Sequence, residues 1–161
     1  MAKGGLGTPA TVALTRAGID FTTHPYDHDP RHPSFGEEAA VALGLTPAEV
    51  FKTLLVLVDQ SPVVAIVPVG GTLDLKALAA AAGGRRAQMC DPASAQRLTG
   101  YVVGGISPIA QRRALPTFLD DSALGQDRVY VSGGRRGLDI GLRPSDLATV
   151  TGAVVAPIAR P

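Results

Sequence analysis

Lys52 stands inside the apolar run VFKTLLVLV (50–58), where an ammonium has two ways to avoid burial without a partner. Its stem can snorkel to the surface. Alternatively, Nζ projects into a polar cavity that receives an anion or a carbonyl. The pattern alone favours snorkelling. Thr53 is expected on the opposite face of the same strand. Two glycine turns, VGGISP (103–108) and VSGGRRG (131–137), each follow residues that read as buried strand. Tyr101, Val102 and Val103 are the residues before the first turn. Such glycines can mark a sharp turn or bulge, or a place where a ligand approaches bare N–H groups. Side by side, the two turns could cradle a carbonyl oxygen or a phosphate. Neither has the spacing of a P-loop or a dinucleotide fingerprint.

Other reactive residues point less directly to a site. His24, His28 and His32 recur every four residues with Asp27 and Asp29 among them. On a helix this would be a metal-binding face, but Pro25, Pro30 and Pro33 forbid the helix. No second His or Cys cluster completes a site, so a polar loop without metal is expected. There is no Gly-x-Ser-x-Gly elbow, and a triad would need one of these histidines to cross the fold to Ser107 or Ser132. Cys90, the single cysteine, precedes a predicted helix start, a position that can lower a thiol pKa. With no basic partner nearby in sequence, it reads as a small packing residue.

The elements that must position these groups are short and mixed. Thr8 and Pro9 open a helix stopped by Gly18, and a brief strand covers residues 19–24. Ser34 to Glu37 fits a capping box for a helix ending near Gly44, and residues 46–49 repeat the signature for one turn. Two consecutive strands, 50–58 and 63–69, turn at 60–62. Helices are predicted over 74–82, from Asp91 to Gly100, and over 144–151. Further strands are predicted at 115–119, 128–132 and 138–142. Six or seven strands mixed with four or five helices make the class α/β or α+β. Residues 1–7 and 155–161 read as loose ends of a single domain.

Bulk properties agree. The 161 residues are 45% hydrophobic with a mean hydropathy of +0.20, enough for one packed core. No apolar run nears the ~18 residues that span a bilayer, and the start lacks a signal-peptide core, so a cytoplasmic protein is expected. Residues 1–84 hold five basic and eight acidic groups, residues 85–161 ten basic and six acidic. The balance moves from −3 to +4, and three arginine pairs stand in the second part at 85–86, 112–113 and 135–136. This skew permits a polyanionic partner on one face, although paired arginines at turns are commonly just solvated.

HPYDHDP, EEAAVALGL, VFKTLLV, LDLKALA, TGYVVGGISP and VYVSGGRRGL occur in that order. Together they resemble the YbaK/EbsC family, free-standing aminoacyl-tRNA deacylases related to the editing domain of prolyl-tRNA synthetase. The resemblance runs from about residue 8 to about residue 152. It implies a single compact domain with a mixed, barrel-like sheet surrounded by helices. It further implies hydrolysis of the ester joining a wrong amino acid to tRNA, cysteine on the proline tRNA above all.

Lys52 matches the family's essential lysine, which would hold the phosphate or ribose end of the aminoacyl-adenosine, against the snorkelling reading. Gly104 and Gly105 match the glycine loop whose N–H groups approach the scissile carbonyl, so a side chain at Gly105 should obstruct substrate. Tyr26, Phe35, Thr53, Ser132 and Asp139 fall where the family lines its pocket, with Ile106, Ser107 and Gly134 as further substrate-binding positions. The substrate's own thiol would replace an enzyme nucleophile, and no metal or organic cofactor is implied. Cys90 replaces a residue commonly small in the family and is expected to be neutral. Mischarged tRNA and prolyl-tRNA synthetase are the implied partners, with no membrane. The alternatives are release of alanine or serine instead of cysteine, or a non-catalytic module that binds tRNA or the synthetase.

Overall fold

The computed structural model describes residues 7–29, 31 and 35–161. The expected cap at Ser34 and the histidine at 32 lie outside these residues, as does the leading segment 1–6. The chain begins with α1 (Pro9–Arg16), β1 (Thr22–Pro25) and α2 (Phe35–Leu43). A hairpin of β2 (Phe51–Val58) and β3 (Ser61–Pro68) follows, then β4 (Thr72–Leu73), α3 (Leu75–Ala81), β5 (Ala87–Met89) and α4 (Pro92–Thr99). After a long irregular stretch come β6 (Thr117–Asp120), β7 (Val129–Arg135), β8 (Leu138–Leu142), α5 (Pro144–Thr151), β9 (Val154–Ala156) and β10 (Ala159–Arg160).

Local chemistry sets most of these boundaries. Thr8, Asp74 and Asp91 accept from the N–H three residues on, each satisfying a donor that the first turn cannot. Gly100 and Gly152 end α4 and α5 in the left-handed region. The β2–β3 register pairs Val58 with Ser61, so the turn is the two residues Asp59 and Gln60, both at positive φ (47° and 72°). That is the backbone a right-twisted hairpin prefers.

Three sheets result, ordered β5-β2-β3-β6-β9, β1-β8-β7 and β10-β4. β2 is apolar on both sides because it separates two cores. Phe51 and Leu55 pack with Val131, Ile140, Leu142 and Leu147 from the three-stranded sheet and α5. Val56 and Val58 pack with Leu78 and Ala79 of α3 and with Ile158.

Two expectations are corrected. Tyr101, Val102 and Val103 form no strand. They are a turn between left-handed Gly100 and Gly104, Val102 is 49% exposed, and Val103 N–H donates to the Gln96 side chain. Three residues between two such glycines are too few for a ladder. Residues 155–161 are not loose. β9 pairs with β6, β10 pairs with β4, and Ile158 is fully buried. Buried Asp120 holds this tail through Oδ1, which accepts from Ile158 N and Ala159 N at 2.9 Å each.

Candidate functional site

The site forms where the sheet fails to close. In β2 the odd residues direct their backbone groups away from β3, as Leu55 O shows by accepting from Cys90 N at 3.0 Å. β5 covers that edge only from Leu55 onward. β7 meets it only at the other end, where Val50 bridges Tyr130 and Tyr130 N donates to Glu49 O at 2.9 Å. Between them the N–H and C=O of Thr53 face a gap. A cavity of about 380 Å³ opens there, within the size range of small-molecule sites.

Each wall has its own source. β2 supplies residues 50–55, including both Lys52 and Thr53. Cys90, Pro92 and Ala95 come from the β5–α4 junction, and Val103, Gly104 and Ile106 from the glycine turn. Ser132 and Asp139 come from the three-stranded sheet, where they are cross-strand partners on one face, and Tyr26 follows directly after β1. Phe35, Gly36 and Ala39 of α2 close the top. The loop before α2 is tied down by Glu38, which contacts His28 Nδ1 at 2.8 Å and accepts from Asp29 N at 2.7 Å. His28 in turn stacks on Phe35.

Lys52 is half-buried, and Nζ donates to Gly71 O at 3.2 Å. Gly71 is itself packed against Arg160 O, where a Cβ would come within 2.5 Å. The C-terminal strand therefore braces the carbonyl that steadies the ammonium. Lys52 borders the cavity and does not simply extend into solvent, and two of its three donors remain for a ligand. Thr53 Oγ1 is buried and makes no hydrogen bond among the described residues. An orphaned hydroxyl in a cavity wall is the kind of group a ligand satisfies.

Asp139 is 5% exposed, and burial lifts its carboxyl from the ordinary 3.8 to about 7. Burial, with Asp139 and Glu38 adding to it, pushes the Tyr26 hydroxyl up to about 12. Burial and then the neighbouring Asp91 raise the Cys90 thiol, which opposes its activation.

Of the expected site residues, the cavity brings together Lys52, Thr53, Tyr26, Phe35, Gly104, Ile106, Ser132 and Asp139. Gly105, Ser107 and Gly134 lie off its lining. The two glycine turns do lie side by side, but backbone against backbone. A Cβ on Gly105 would meet Arg135 and Arg136 main chain at 2.7–2.8 Å, and Gly105 N–H is already donated to Val102 O at 2.8 Å. Gly105 is thus glycine for packing, whereas Gly104 lines the cavity and its N–H makes no hydrogen bond among the described residues. Gly104 has φ +89°, and a Cβ there would strike the Phe35 ring at 2.6 Å. Gly134 packs on Tyr101 and Thr8. Ser107 is fully buried, its hydroxyl accepting from Ile109 N.

Gly105→Ala is therefore expected to lower stability by about 1–3 kcal/mol through overpacking, read as a lower urea midpoint. An unchanged midpoint would mean that the turns are not packed this closely.

Cys90, expected to be neutral packing, is a cavity residue, as are Met89 and Pro92. The residues before Asp91, Ala87 to Cys90, carried no local sign of it. Among the described residues no group of three His, Cys, Asp or Glu could hold a metal ion. Among the described residues no hydrogen bond joins a histidine to a serine or cysteine: His24 Nε2 contacts Thr22 Oγ1 and His28 contacts Glu38. The site offers an ammonium, an unpaired hydroxyl, backbone N–H groups and a neutralisable carboxyl, without an activated nucleophile among the described residues. No helix among the described residues is long and apolar enough to cross a membrane.

This arrangement has relatives. An Enterococcus faecalis protein described as "Putative Cys-tRNA(Pro)/Cys-tRNA(Cys) deacylase EbsC" is 37% identical over 123 residues, 76% of this chain and 75% of its own. The crystal structure of a hypothetical protein, APE2540, superposes with a TM-score of 0.84 at 26% identity, covering 95% of this chain and all of that one. A structure described as "a putative trans-editing enzyme for prolyl tRNA synthetase" gives 0.80 at 26% identity over 95% of this chain and 96% of its own. The aminoacyl-tRNA editing domain matches residues 30–150, which span the lid, both glycine turns and every wall of the cavity except Tyr26. The chain belongs to the aminoacyl-tRNA editing domain family.

Proposed function

We propose that this chain is a trans-editing deacylase that removes cysteine from mischarged proline tRNA. The observation that carries the reading is a cavity that gathers the Lys52 ammonium, the unpartnered Thr53 hydroxyl and Gly104 while burial raises its one thiol, Cys90, away from activation. The similarity to the Enterococcus faecalis protein supports the choice of cysteine. Lys52 holds the ribose or phosphate end of the terminal aminoacyl-adenosine. Gly104 N–H approaches the ester carbonyl, where a donor is worth most in a water-poor site. Thr53 Oγ1 takes a polar group of the substrate.

The cysteine thiol, as thiolate, attacks its own carbonyl carbon. The carbon–oxygen ester bond breaks, the ribose oxygen leaves and takes up a proton, and the resulting cyclic thioester is opened by water to free cysteine. Positioning supplies much of the rate, because an intramolecular attack needs only the right conformer. Selection among tRNAs falls to an association with prolyl-tRNA synthetase in the cytoplasm, a reading supported by the similarity to the structure described for that synthetase.

The test charges proline tRNA with cysteine, serine, alanine or proline and follows ester loss. Cysteine is expected to leave at least about tenfold faster than serine, which has the same shape without the thiol. Equal rates for cysteine and serine would remove the thiol mechanism. Preferential alanine release would keep the site and change its substrate, and no release from any ester would leave a binding module.

A further inference from the structure

Three arginines stand at the turn that carries Val103 and Gly104 into the cavity, and among the described residues none of them is in an ion pair. Residues 92–119 contain no Asp or Glu. Within this stretch Arg112 and Arg113 fold back on the end of α4, their N–H groups donating to Thr99 O and Leu98 O at 2.8 and 3.2 Å. The Arg112 side chain lies against Gly100, within 3.5 Å of where a Cβ would stand. From the other glycine turn, Arg136 Nε donates to Val103 O at 2.8 Å, with its guanidinium 5.6 Å from the centre of the Phe35 ring.

Gly100 and Val103 are three residues apart, at most about 11 Å, so the arginines flank one short turn that opens onto the cavity. None of these three is in an ion pair among the described residues, and Arg112, Arg113 and Arg136 are exposed. Arg97 is excluded, because it turns to Ser94 near Asp91 at the other end of the helix. The third pair, Arg85 and Arg86, sits at the β2–β3 turn, where the Asp59 carboxylate accepts both backbone N–H groups.

We propose that Arg112, Arg113 and Arg136 form the docking surface for the sugar–phosphate backbone of a tRNA acceptor end, leading its 3′ terminus past Phe35 into the cavity. This rests on the deacylase reading of the cavity and extends it to named contacts outside. Solvent-exposed guanidinium groups held by their backbone rather than by carboxylates suit phosphate oxygens, which they bind as forks. Arg136, between Val103 O and the Phe35 ring, stands where the RNA passes from rim to pocket. Arg85 and Arg86, equal in charge but placed elsewhere, take no part.

The test is fluorescence anisotropy with an uncharged acceptor-stem minihelix RNA over a series of salt concentrations, so that no ester chemistry enters. Replacing Arg112 and Arg113 together by Gln is expected to weaken binding about tenfold or more. The magnitude of the slope of log K against log salt should fall by about 1.5, two phosphate contacts at 0.7–0.9 each. Arg136→Gln is expected to lower it by a further unit or slightly less, while Arg85→Gln with Arg86→Gln changes neither quantity. Circular dichroism checks that each variant is folded, and the Lys versions of the Arg112 and Arg113 changes should restore most of the slope.

Equal losses from the 85–86 and 112–113 variants, or no loss from 112–113, would overturn the docking surface even where cysteine release is normal. Arginine-dependent minihelix binding by a protein that hydrolyses none of the esters would uphold the surface and defeat the deacylase reading.

Discussion

Lys52→Ala is expected to lower kcat/KM for cysteinyl-tRNA(Pro) by about 10², the loss that follows when a group that positions the ribose or phosphate end of the substrate is removed. β2 fixes the Lys52 backbone through its pairing with Val67, and Gly71 O fixes Nζ at 3.2 Å. The ammonium is thus oriented before substrate arrives, and that order is what the substitution destroys. Lys52→Met separates charge from packing, since it keeps most of the stem that covers the cavity wall. It should lose activity nearly as far while unfolding at the wild-type urea concentration. Lys52→Arg should recover little, because a planar fork does not reproduce a point charge on a flexible stem. Single-turnover deacylation measures all three, and a loss below tenfold in Lys52→Met would take the ammonium out of the proposed role.

What the sequence made legible follows the range of the interactions involved. The caps at Thr8, Asp74 and Asp91 and the glycine stops at Gly100 and Gly152 act over three or four residues, and their helices stand where local chemistry puts them. Lys52 was conspicuous because an ammonium in an apolar run demands a reason, and the structure places it at the cavity edge with Nζ on the Gly71 carbonyl. The resemblance to a family, more than spacing, singled out Tyr26, Thr53 and Asp139, which come from segments far apart in the chain.

Long-range contacts were not legible. Nothing in VVAPIAR announces that a carboxylate 38 residues upstream at Asp120 will hold it. Gly105 and Gly104 look alike in sequence, yet one is pressed on neighbouring backbone and the other lies under an aromatic ring at the cavity. Close packing and close ligand approach demand the same absent side chain. Cys90 became a cavity residue only because β5 leaves the edge of β2 just there.

The second large effect concerns stability and pH. Asp139→Asn is expected to stabilise the protein at pH 8 by about 4 kcal/mol and to leave it nearly unchanged at pH 4. Burial raises the Asp139 carboxyl from 3.8 to about 7 in the folded chain, and about three pKa units at 1.36 kcal/mol each give that magnitude. Between those two pH values the folded protein keeps a proton that the unfolded chain has released. Folded protein therefore binds more protons, and stability falls as pH rises through the window.

The neighbouring Tyr26 hydroxyl, pushed up to about 12, stays neutral throughout and cannot offset the change. Asn has the shape of the acid without a charge to desolvate, so its curve should be flat where the wild-type curve descends. Urea unfolding at intervals from pH 4 to pH 8 tests this, and parallel curves would mean that Asp139 ionises like an exposed carboxyl. Such a cost is tolerated at a place where the chain gains something from a carboxyl. Opposite Ser132 and beside Tyr26 in the cavity wall, a carboxyl raised by burial is in a position we propose for proton exchange with a bound substrate.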